Sequence, residues 1–223
     1  NKCIYVSSES KRLIKKTIKI NNLNYENSVV INPLPSLNLE ILKKAIKIEN
    51  IKEINRPFIL FNSSIVERKK VEYAIEYFNN SNLSKNGVLF CIAGKLHDNK
   101  YCQFIKNLSK KNDKILLLNY VSDLEKAWLF LNSSLLISTS SIEGFGIPVL
   151  NALSIDLPIL ASDIPSHYEI GRLKDNSDIK LIRQNAGELW VKNLNKIEIF
   201  PLDNEEKKLN RIKSFNKFFC YIE

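Results

Sequence analysis

The chain has 223 residues, of which 44% are hydrophobic and 26% charged, a balance typical of a globular protein rather than a disordered or fibrous one. No apolar run in it approaches the roughly 18 residues that a membrane-spanning helix requires. Lys and Arg outnumber Asp and Glu by 33 to 24, a net charge of +9, but the lysines are spread along helix-like stretches. This spread disfavours a nucleic-acid surface and leaves two interpretations, solvated lysines or peripheral contact with an anionic membrane.

The first 57 residues predict a small unit followed by a linker. Residues 1–35 have the pattern of strand, helix and strand, and Ser8 or Ser10 is expected to cap the helix. Residues 36–57 follow a Pro-x-Pro sequence and end at Arg56-Pro57, which favours a linker that contains a short helix over 39–48. The predicted elements of the first unit are a strand at 3–6, a helix at 8–21 and a strand at 28–31.

Residues 58–204 alternate continuous apolar runs with helix-like stretches, and residues 205–223 predict a C-terminal helix. Such apolar runs suit the strands of a parallel sheet that is covered on both faces. The alternation predicts an α/β fold with a doubly wound, Rossmann-like parallel sheet, in which ligands bind beyond the carboxyl ends of the strands. The predicted strands are 58–62, 88–93, 115–118, 134–138, 158–161 and 179–182, and the predicted helices are 67–79, 99–111, 123–131, 146–155, 186–194 and 205–221.

The four cysteines show no spacing typical of a metal site. Cys91 lies within an apolar run and is expected in the core. The default interpretation of the four cysteines is that they are reduced thiols in a cytosolic protein. We also expect no bound metal.

One turn carries the most specific pattern in the chain. Two of its six glycines, Gly144 and Gly146, bracket Phe145 directly after Glu143, with an apolar run before the turn and a helix-like run after it. Glycine permits close approach of a ligand, and the N–H groups of Phe145, Gly146 and Ile147 would lie at a helix N-terminus, where anions bind. The Glu143 carboxylate can accept hydroxyl hydrogen bonds. Phosphate next to hydroxyls is the chemistry of a nucleotide sugar.

The stretch from Glu143 to Glu169 resembles the donor-site signature of retaining GT-B glycosyltransferases, most closely the group 1 family (family 4). The similar segments are Glu143-Gly-Phe-Gly-Ile-Pro-Val-Leu-Asn-Ala-Leu and Leu157-Pro-Ile-Leu-Ala-Ser-Asp-Ile-Pro. The resemblance implies that 58–204 is the C-terminal, donor-binding domain and that 1–35 is a remnant of the N-terminal acceptor domain. It also implies that a hexose is transferred with retention, without metal or cofactor, from a nucleotide diphosphate sugar to a glycan or lipid-linked acceptor in surface polysaccharide synthesis.

The segment Phe58-Ile-Leu-Phe-Asn-Ser-Ser-Ile-Val-Glu-Arg-Lys is similar to the family's strand, Gly-Arg pair and Glu-Arg-Lys. The resemblance implies that Lys69 neutralises the diphosphate and that Glu143 holds the donor sugar. The family's Arg is replaced by Ser64, which cannot make bidentate, charge-assisted contacts. Lys95, directly after a glycine at a strand end, or Arg68 can supply the missing charge.

The nucleoside end of the implied site also departs from the family pattern. The family has a second Glu, separated from the first by seven residues, that accepts both ribose hydroxyls, but Asn151 stands at that position. Asn can accept and donate hydrogen bonds yet is shorter and neutral, so we expect weaker ribose binding. The backbone of Tyr120 and Val121 stands where the family contacts the base.

Five other positions lead to expectations about backbone conformation, exposure or a supporting role. Asn119 and Asp156 replace family glycines, and both residue types tolerate left-handed backbone. His97 and His167 are expected at the surface, and Glu169 is expected to support the site.

Two functional hypotheses follow from these residues. The first is an active glycosyltransferase, located in the cytoplasm and peripheral to the inner face of the membrane. The second is a non-catalytic relative that keeps the fold as a binding or assembly module, which the changes at Ser64 and Asn151 motivate. The absence of Met and the isolated first unit suggest a piece of a longer polypeptide.

Overall fold

The structure, a computed structural model, describes residues 2–20, 27–48, 54–175 and 178–218. Within these residues, six parallel strands form one sheet and two parallel strands at the N-terminal end form another. Helices pack on both faces of the larger sheet. The predicted α/β fold with a Rossmann-like parallel sheet is therefore confirmed.

The N-terminal unit consists of strand β1 (Lys2–Tyr5), helix α1 (Ser8–Ile20) and strand β2 (Asn27–Val30), and the two strands pair in parallel. Ser7 is the residue that caps α1, because its Oγ accepts the Ser10 N–H at 2.9 Å. The prediction that Ser8 or Ser10 caps this helix was therefore wrong, since the cap lies one position before Ser8 and three before Ser10.

The linker helix α2 covers Leu39–Lys43 and is shorter than the predicted 39–48. Asn38 caps its N-terminus by accepting the Ile41 N–H at 2.9 Å. Beyond Lys44 the chain extends along the protein, where the Ile46 N–H donates to the Leu124 carbonyl at 3.3 Å. This contact with a distant residue replaces the next helical turn.

The larger sheet contains each of the six strands predicted from the sequence. Its strands are β3 (Phe58–Asn62), β4 (Leu89–Ala93), β5 (Ile115–Asn119), β6 (Leu136–Ser138), β7 (Ile159–Ser162) and β8 (Ile179–Ile182). The helices are α3 (Val71–Asn80), α4 (Asn82–Lys85), α5 (Lys100–Ser109), α6 (Asp123–Asn132), α7 (Ile147–Ser154), α8 (Pro165–Gly171), α9 (Gly187–Leu194) and α10 (Glu205–Phe218). The two short helices α4 and α8 were not predicted.

The strand order is β5-β4-β3-β6-β7-β8, so the chain builds outward from β3 and then crosses back to build outward from β6. Ligands of such sheets bind beyond the carboxyl ends of the two strands at this reversal point. The segments that leave β3 and β6 are therefore the ones that define a candidate site.

Both faces of the central strands are buried, which explains their continuous apolar runs. Along β3, Phe58 and Leu60 pack on the face covered by α6 and α7, whereas Ile59 and Phe61 pack on the face covered by α3 and α5. Because neither face meets water, the alternation of polar and apolar residues that marks a half-exposed strand is absent here.

Left-handed backbone occurs at both non-glycine positions where the sequence predicted it, and also at Lys70 and Asp203. Asn119 and Asp156 have φ values of 58° and 54°, as expected for residues that replace glycine. Lys70 also has a φ of 50°, and it splits the predicted helix 67–79 into a 3-10 turn at Glu67–Lys69 and the helix α3. Thr139 Oγ1 lies 2.7 Å from the Lys70 carbonyl oxygen and holds this break in place.

Candidate active site

Lys69 and Glu143 meet at the reversal point of the sheet. Lys69 ends the 3-10 turn that follows β3, and Glu143 lies in the loop that follows β6. The Lys69 Nζ donates to Glu143 Oε1 in a salt bridge, and the two residues are only 5% and 8% exposed. The two residues implied to be catalytic are thus brought together as a buried ion pair.

Glu143 has further partners that neutralise and orient its carboxylate. Ser140 Oγ donates to Oε1 at 2.7 Å, and Arg68 Nη1 donates to Oε2 at 3.1 Å. The same Arg68 nitrogen also donates to the Ile142 carbonyl at 3.1 Å. Two cations therefore surround one carboxylate, which leaves a local charge of +1 at the carboxyl edge of the sheet.

Burial and pairing act in opposite directions on this pair. Burial alone would raise the pKa of Glu143, but attraction to Lys69 and the hydrogen bonds from Lys69 and Ser140 outweigh it and hold the pKa below its usual value. Burial lowers the pKa of Lys69, and the Glu143 charge opposes this shift. Because the carboxylate is stabilised in its charged form, we assign an ion pair at neutral pH.

The glycine turn starts α7, as the sequence predicted. Gly146 has a φ of 111° and precedes the first helical residue, Ile147, and no side chain caps this N-terminus. Among the described residues, none accepts a hydrogen bond from the N–H groups of Phe145, Gly146 or Ile147. Three donors at the positive end of a helix dipole thus lie in the turn that directly follows Glu143.

His167 lies beneath this turn and not at the surface, so the expectation for this residue was wrong. Its side chain is fully buried, and its Nδ1 lies 2.8 Å from the Ser162 carbonyl oxygen, which can only accept. Nδ1 therefore carries the proton and Nε2 is left without a partner among the described residues. A Cβ added at Gly146 would lie 3.4 Å from the His167 ring, so the imidazole lies close beside the glycine of the turn. His97 is exposed, as expected.

The burial of His167 predicts a pH dependence of stability. Burial lowers the pKa of His167 in the folded protein below the value of 6.5 that it has when solvated. As pH falls below about 6.5, the unfolded state gains a proton that the folded state does not bind, so folding becomes less favourable by at most about 1.4 kcal/mol per pH unit. Urea unfolding between pH 7 and 5 should show this slope in the wild type and a flatter profile in His167→Gln. His97→Gln is the matched control, and an identical slope in both variants would contradict the assignment.

Asn151 does not face an open ribose site. Its side chain is 1% exposed, its Oδ1 accepts the Ser36 and Leu37 N–H groups at 2.8 and 3.3 Å, and its Nδ2 donates to Ser36 Oγ at 2.9 Å. The amide therefore fastens α7 to the linker. Oδ1 already accepts two hydrogen bonds and Nδ2 already donates one, and with the burial of the side chain this favours a structural role over the expected ribose contact, which stays a prediction.

The other predicted donor-binding residues lie along the same edge of the sheet. Ser64 and Lys95 are both exposed and follow β3 and β4, and their loops are joined by the Ile65 N–H to the Lys95 carbonyl at 3.1 Å. Gly94 permits this approach, since a Cβ there would lie 1.7 Å from the Ser63 oxygen. Tyr120 and Val121 follow β5 at the end of the sheet, and Tyr120 is 76% exposed. Among the described residues no hydrogen bond or ion pair joins these residues to Lys69, so their roles stay predictions.

Sequence reasoning identified the two central charges, gave one supporting residue a different role and missed two others. Arg68 was named only as a substitute charge, whereas Ser140 and His167 were not assigned to the site. Ser140 lies three residues before Glu143, a spacing that allows a local hydrogen bond between the two side chains. His167 carries no comparable signal, because its burial depends on the packing of α8 under the turn.

Among the described residues, no group of three or more His, Cys, Asp or Glu side chains is arranged to hold a metal ion. None of the described helices is both long and apolar enough to cross a membrane. Cys91 and Cys102 are buried free thiols, as expected for Cys91. Cys220 lies outside the described residues.

The sheet order, the charges at its reversal point and the free helix N-terminus define a Rossmann-like domain of the GT-B type. Solved structures show the same fold. One is WaaG, a glycosyltransferase involved in lipopolysaccharide biosynthesis, with a TM-score of 0.66 and 16% identity over 97% of this chain and 58% of that chain. Another is α,α-trehalose 6-phosphate synthase from Burkholderia multivorans, with a TM-score of 0.67 and 11% identity over 98% of this chain and 54% of that chain.

The sequence comparison then identifies the family. The model of the family "Glycosyl transferases group 1" matches residues 43–213, and the chain belongs to this family. It is 34% identical over 98 residues to the O-antigen chain mannosyltransferase RfbU of Salmonella typhimurium, and 35% identical over 71 residues to the serotype-specific mannosyltransferase WbdA of Escherichia coli. These matches cover 43% and 32% of this chain but only 26% and 9% of the two relatives.

Proposed function

We propose that this chain binds the donor of a retaining glycosyltransferase, which moves a hexose from a nucleotide diphosphate sugar to a glycan or lipid-linked acceptor. The observation that supports it most strongly is the cluster of Lys69, Arg68 and Glu143 beside three unpaired N–H groups. Two cations and a helix N-terminus suit a diphosphate, and a carboxylate suits sugar hydroxyls. Because the curated relatives are mannosyltransferases, mannose is the first donor sugar that we propose.

The reaction creates positive charge at the anomeric carbon and negative charge on the departing diphosphate. In our proposal Lys69, Arg68 and the turn N–H groups stabilise the negative charge of the departing diphosphate, so that water is not needed to solvate it. The Lys69 ammonium has three donors, so it can keep its bond to Glu143 while it contacts a phosphate oxygen. As the bond from the anomeric carbon to the phosphate oxygen breaks, the acceptor oxygen bonds to that carbon on the same face and passes its proton to the leaving phosphate. This accounts for retention without a nucleophile on the protein.

The structure changes one part of the family pattern that this proposal uses. Since Asn151 contacts the linker, we propose that the nucleoside is held elsewhere, with the base at the backbone of Tyr120 and Val121. We also propose a cytoplasmic location peripheral to the membrane, where the net charge of +9 would favour anionic lipid. The alternative of a non-catalytic module is not favoured, because the family and the curated relatives are transferases.

Calorimetry with UDP, GDP and ADP and their sugars tests the proposal. We expect one of these nucleotides to bind the wild type and to bind Lys69→Met about 10- to 100-fold more weakly, the value of one hydrogen bond to a charged group. Lys70→Met is the matched control, because Lys70 is adjacent but only approaches Glu72, at 3.8 Å. Thermal unfolding of each variant shows whether it is folded at the titration temperature. Equal affinity in Lys69→Met and the wild type, or no binding by the wild type, would overturn the proposal.

A further inference from the structure

The start of helix α1 contacts the glycine turn through a single carbonyl group. Ser7 Oγ and Ser10 Oγ both donate to the Gly144 carbonyl oxygen, with Ser10 at 2.7 Å. Ser7 is fully buried, and its Oγ also caps α1 by accepting the Ser10 N–H. Two hydroxyl groups from the N-terminal unit therefore converge on one atom of the candidate site.

A second contact joins the start of α1 to helix α8. Both carboxylate oxygens of Glu169, on α8, accept the Ser8 N–H, at 3.1 and 3.0 Å. A carboxylate at a helix N-terminus is favourable because the free N–H groups there carry partial positive charge. The same short helix α8 carries His167 under Gly146, so α1, the turn and α8 form one continuous contact.

The contact at Gly144 sets the direction of the next N–H group. In a planar trans peptide the carbonyl and the following N–H point to opposite sides. Because the Gly144 carbonyl points toward α1, the Phe145 N–H must point away from α1. The Phe145 ring is buried in the core, whereas Gly144 is exposed and has no side chain to restrict its backbone. Without the two hydroxyls, the peptide between these residues is the part of the turn most free to rotate.

We propose that Ser7 and Ser10 are positioning residues for the donor site, which fix the Gly144–Phe145 peptide so that the turn presents its N–H groups in one arrangement. On this proposal the N-terminal unit, which the family resemblance assigns to the acceptor, also completes the donor site. The effect on donor binding rests on the proposed function, but the bracing of the turn does not.

Hydrogen exchange without any nucleotide tests the bracing by itself. We expect the amides of Val149 and Leu150, which donate to the Gly146 carbonyl, to exchange about 10-fold faster in the double variant Ser7→Ala/Ser10→Ala than in the wild type, which corresponds to about 1.4 kcal/mol. Ser8→Ala is the matched control, because the Ser8 hydroxyl is exposed and makes no hydrogen bond to a described residue. Its exchange should equal that of the wild type. Equal exchange in the double variant and the control would overturn the proposal.

Two single variants distinguish loss of the hydroxyl contacts on the Gly144 carbonyl from fraying of helix α1 after loss of its cap. Ser10→Ala keeps the Ser7 cap and removes only one of the two hydroxyls on Gly144, so its exchange should be intermediate. Ser10→Thr restores a hydroxyl and should return exchange toward the wild-type rate. If only variants that lack Ser7 exchange faster, helix fraying explains the result and the proposal fails.

Nucleotide titration then tests the consequence for the donor. The double variant should bind the nucleotide that the wild type binds about 10-fold more weakly, and Ser8→Ala should bind it normally. Faster exchange with unchanged affinity would overturn the positioning role. If the wild type binds no nucleotide, the proposed function fails, and the exchange experiment still decides whether the serines brace the turn.

Discussion

Glu143→Gln is expected to abolish sugar transfer and to lower the free energy of unfolding by about 3–5 kcal/mol. The carboxylate is 8% exposed and is the partner of two cations, of which Lys69 is itself buried. Glutamine has nearly the same shape but no charge, so Lys69 would remain buried without its counter-charge. The same change removes the strongest acceptor for sugar hydroxyls. The loss of stability and the loss of transfer therefore both follow from the buried Lys69–Glu143 pair.

A double-mutant cycle, followed by chemical denaturation, measures the interaction free energy between Lys69 and Glu143. Lys69→Met should also be destabilising, and the double variant Glu143→Gln/Lys69→Met should cost clearly less than the sum of the single variants. Glu40→Gln is the matched control, since Glu40 forms an exposed pair with Lys44 at 2.7 Å and should cost less than about 0.5 kcal/mol. Transfer is to be assayed at a temperature at which the variant is folded. A cost as small as that of the control, or wild-type turnover, would show that the pair has neither role.

Much of the fold could be predicted because it depends on local patterns. Continuous apolar runs identified the six strands of the larger sheet, and their alternation with helices gave a parallel sheet. The sheet also brought Lys69 and Glu143 to the same edge, since each follows the carboxyl end of a strand. Their direct pairing could not be predicted, because it depends on the strand order that places β3 next to β6.

The parts that sequence reasoning missed depend on residues that are far apart in the chain. The short helix α8 has few residues to show a period, so the burial of His167 under Gly146 left no local sign. The contacts of Ser7 with Gly144 span 137 positions, and those of Asn151 with Ser36 span 115. Asn151 occupies a family position, but its new partner lies in the linker, where no motif marks it.

Asn151→Glu, which restores the carboxylate of the family pattern, is expected to lower the free energy of unfolding by about 2–6 kcal/mol and not to tighten nucleotide binding. The site around Asn151 is closed, so a longer side chain must displace its neighbours, at a typical cost of about 1–3 kcal/mol. Displacement also leaves the Ser36 and Leu37 N–H groups without their acceptor, and a buried unpaired donor costs about 1–3 kcal/mol.

Asn151→Asp separates the effect of length from that of charge. Aspartate has the size of asparagine and can still accept both N–H groups, and the Ser36 hydroxyl can turn to donate to its second oxygen. We therefore expect a smaller cost than for Asn151→Glu, and the cost that remains is due to burial of the carboxylate charge; urea unfolding of both variants measures it. If instead Asn151→Glu were as stable as the wild type and bound nucleotide more tightly, residue 151 would face the ribose, and the linker contact would not define this site. The unfolding and the nucleotide titration must therefore be measured on the same preparations, because only the two results together distinguish a closed position from a binding one.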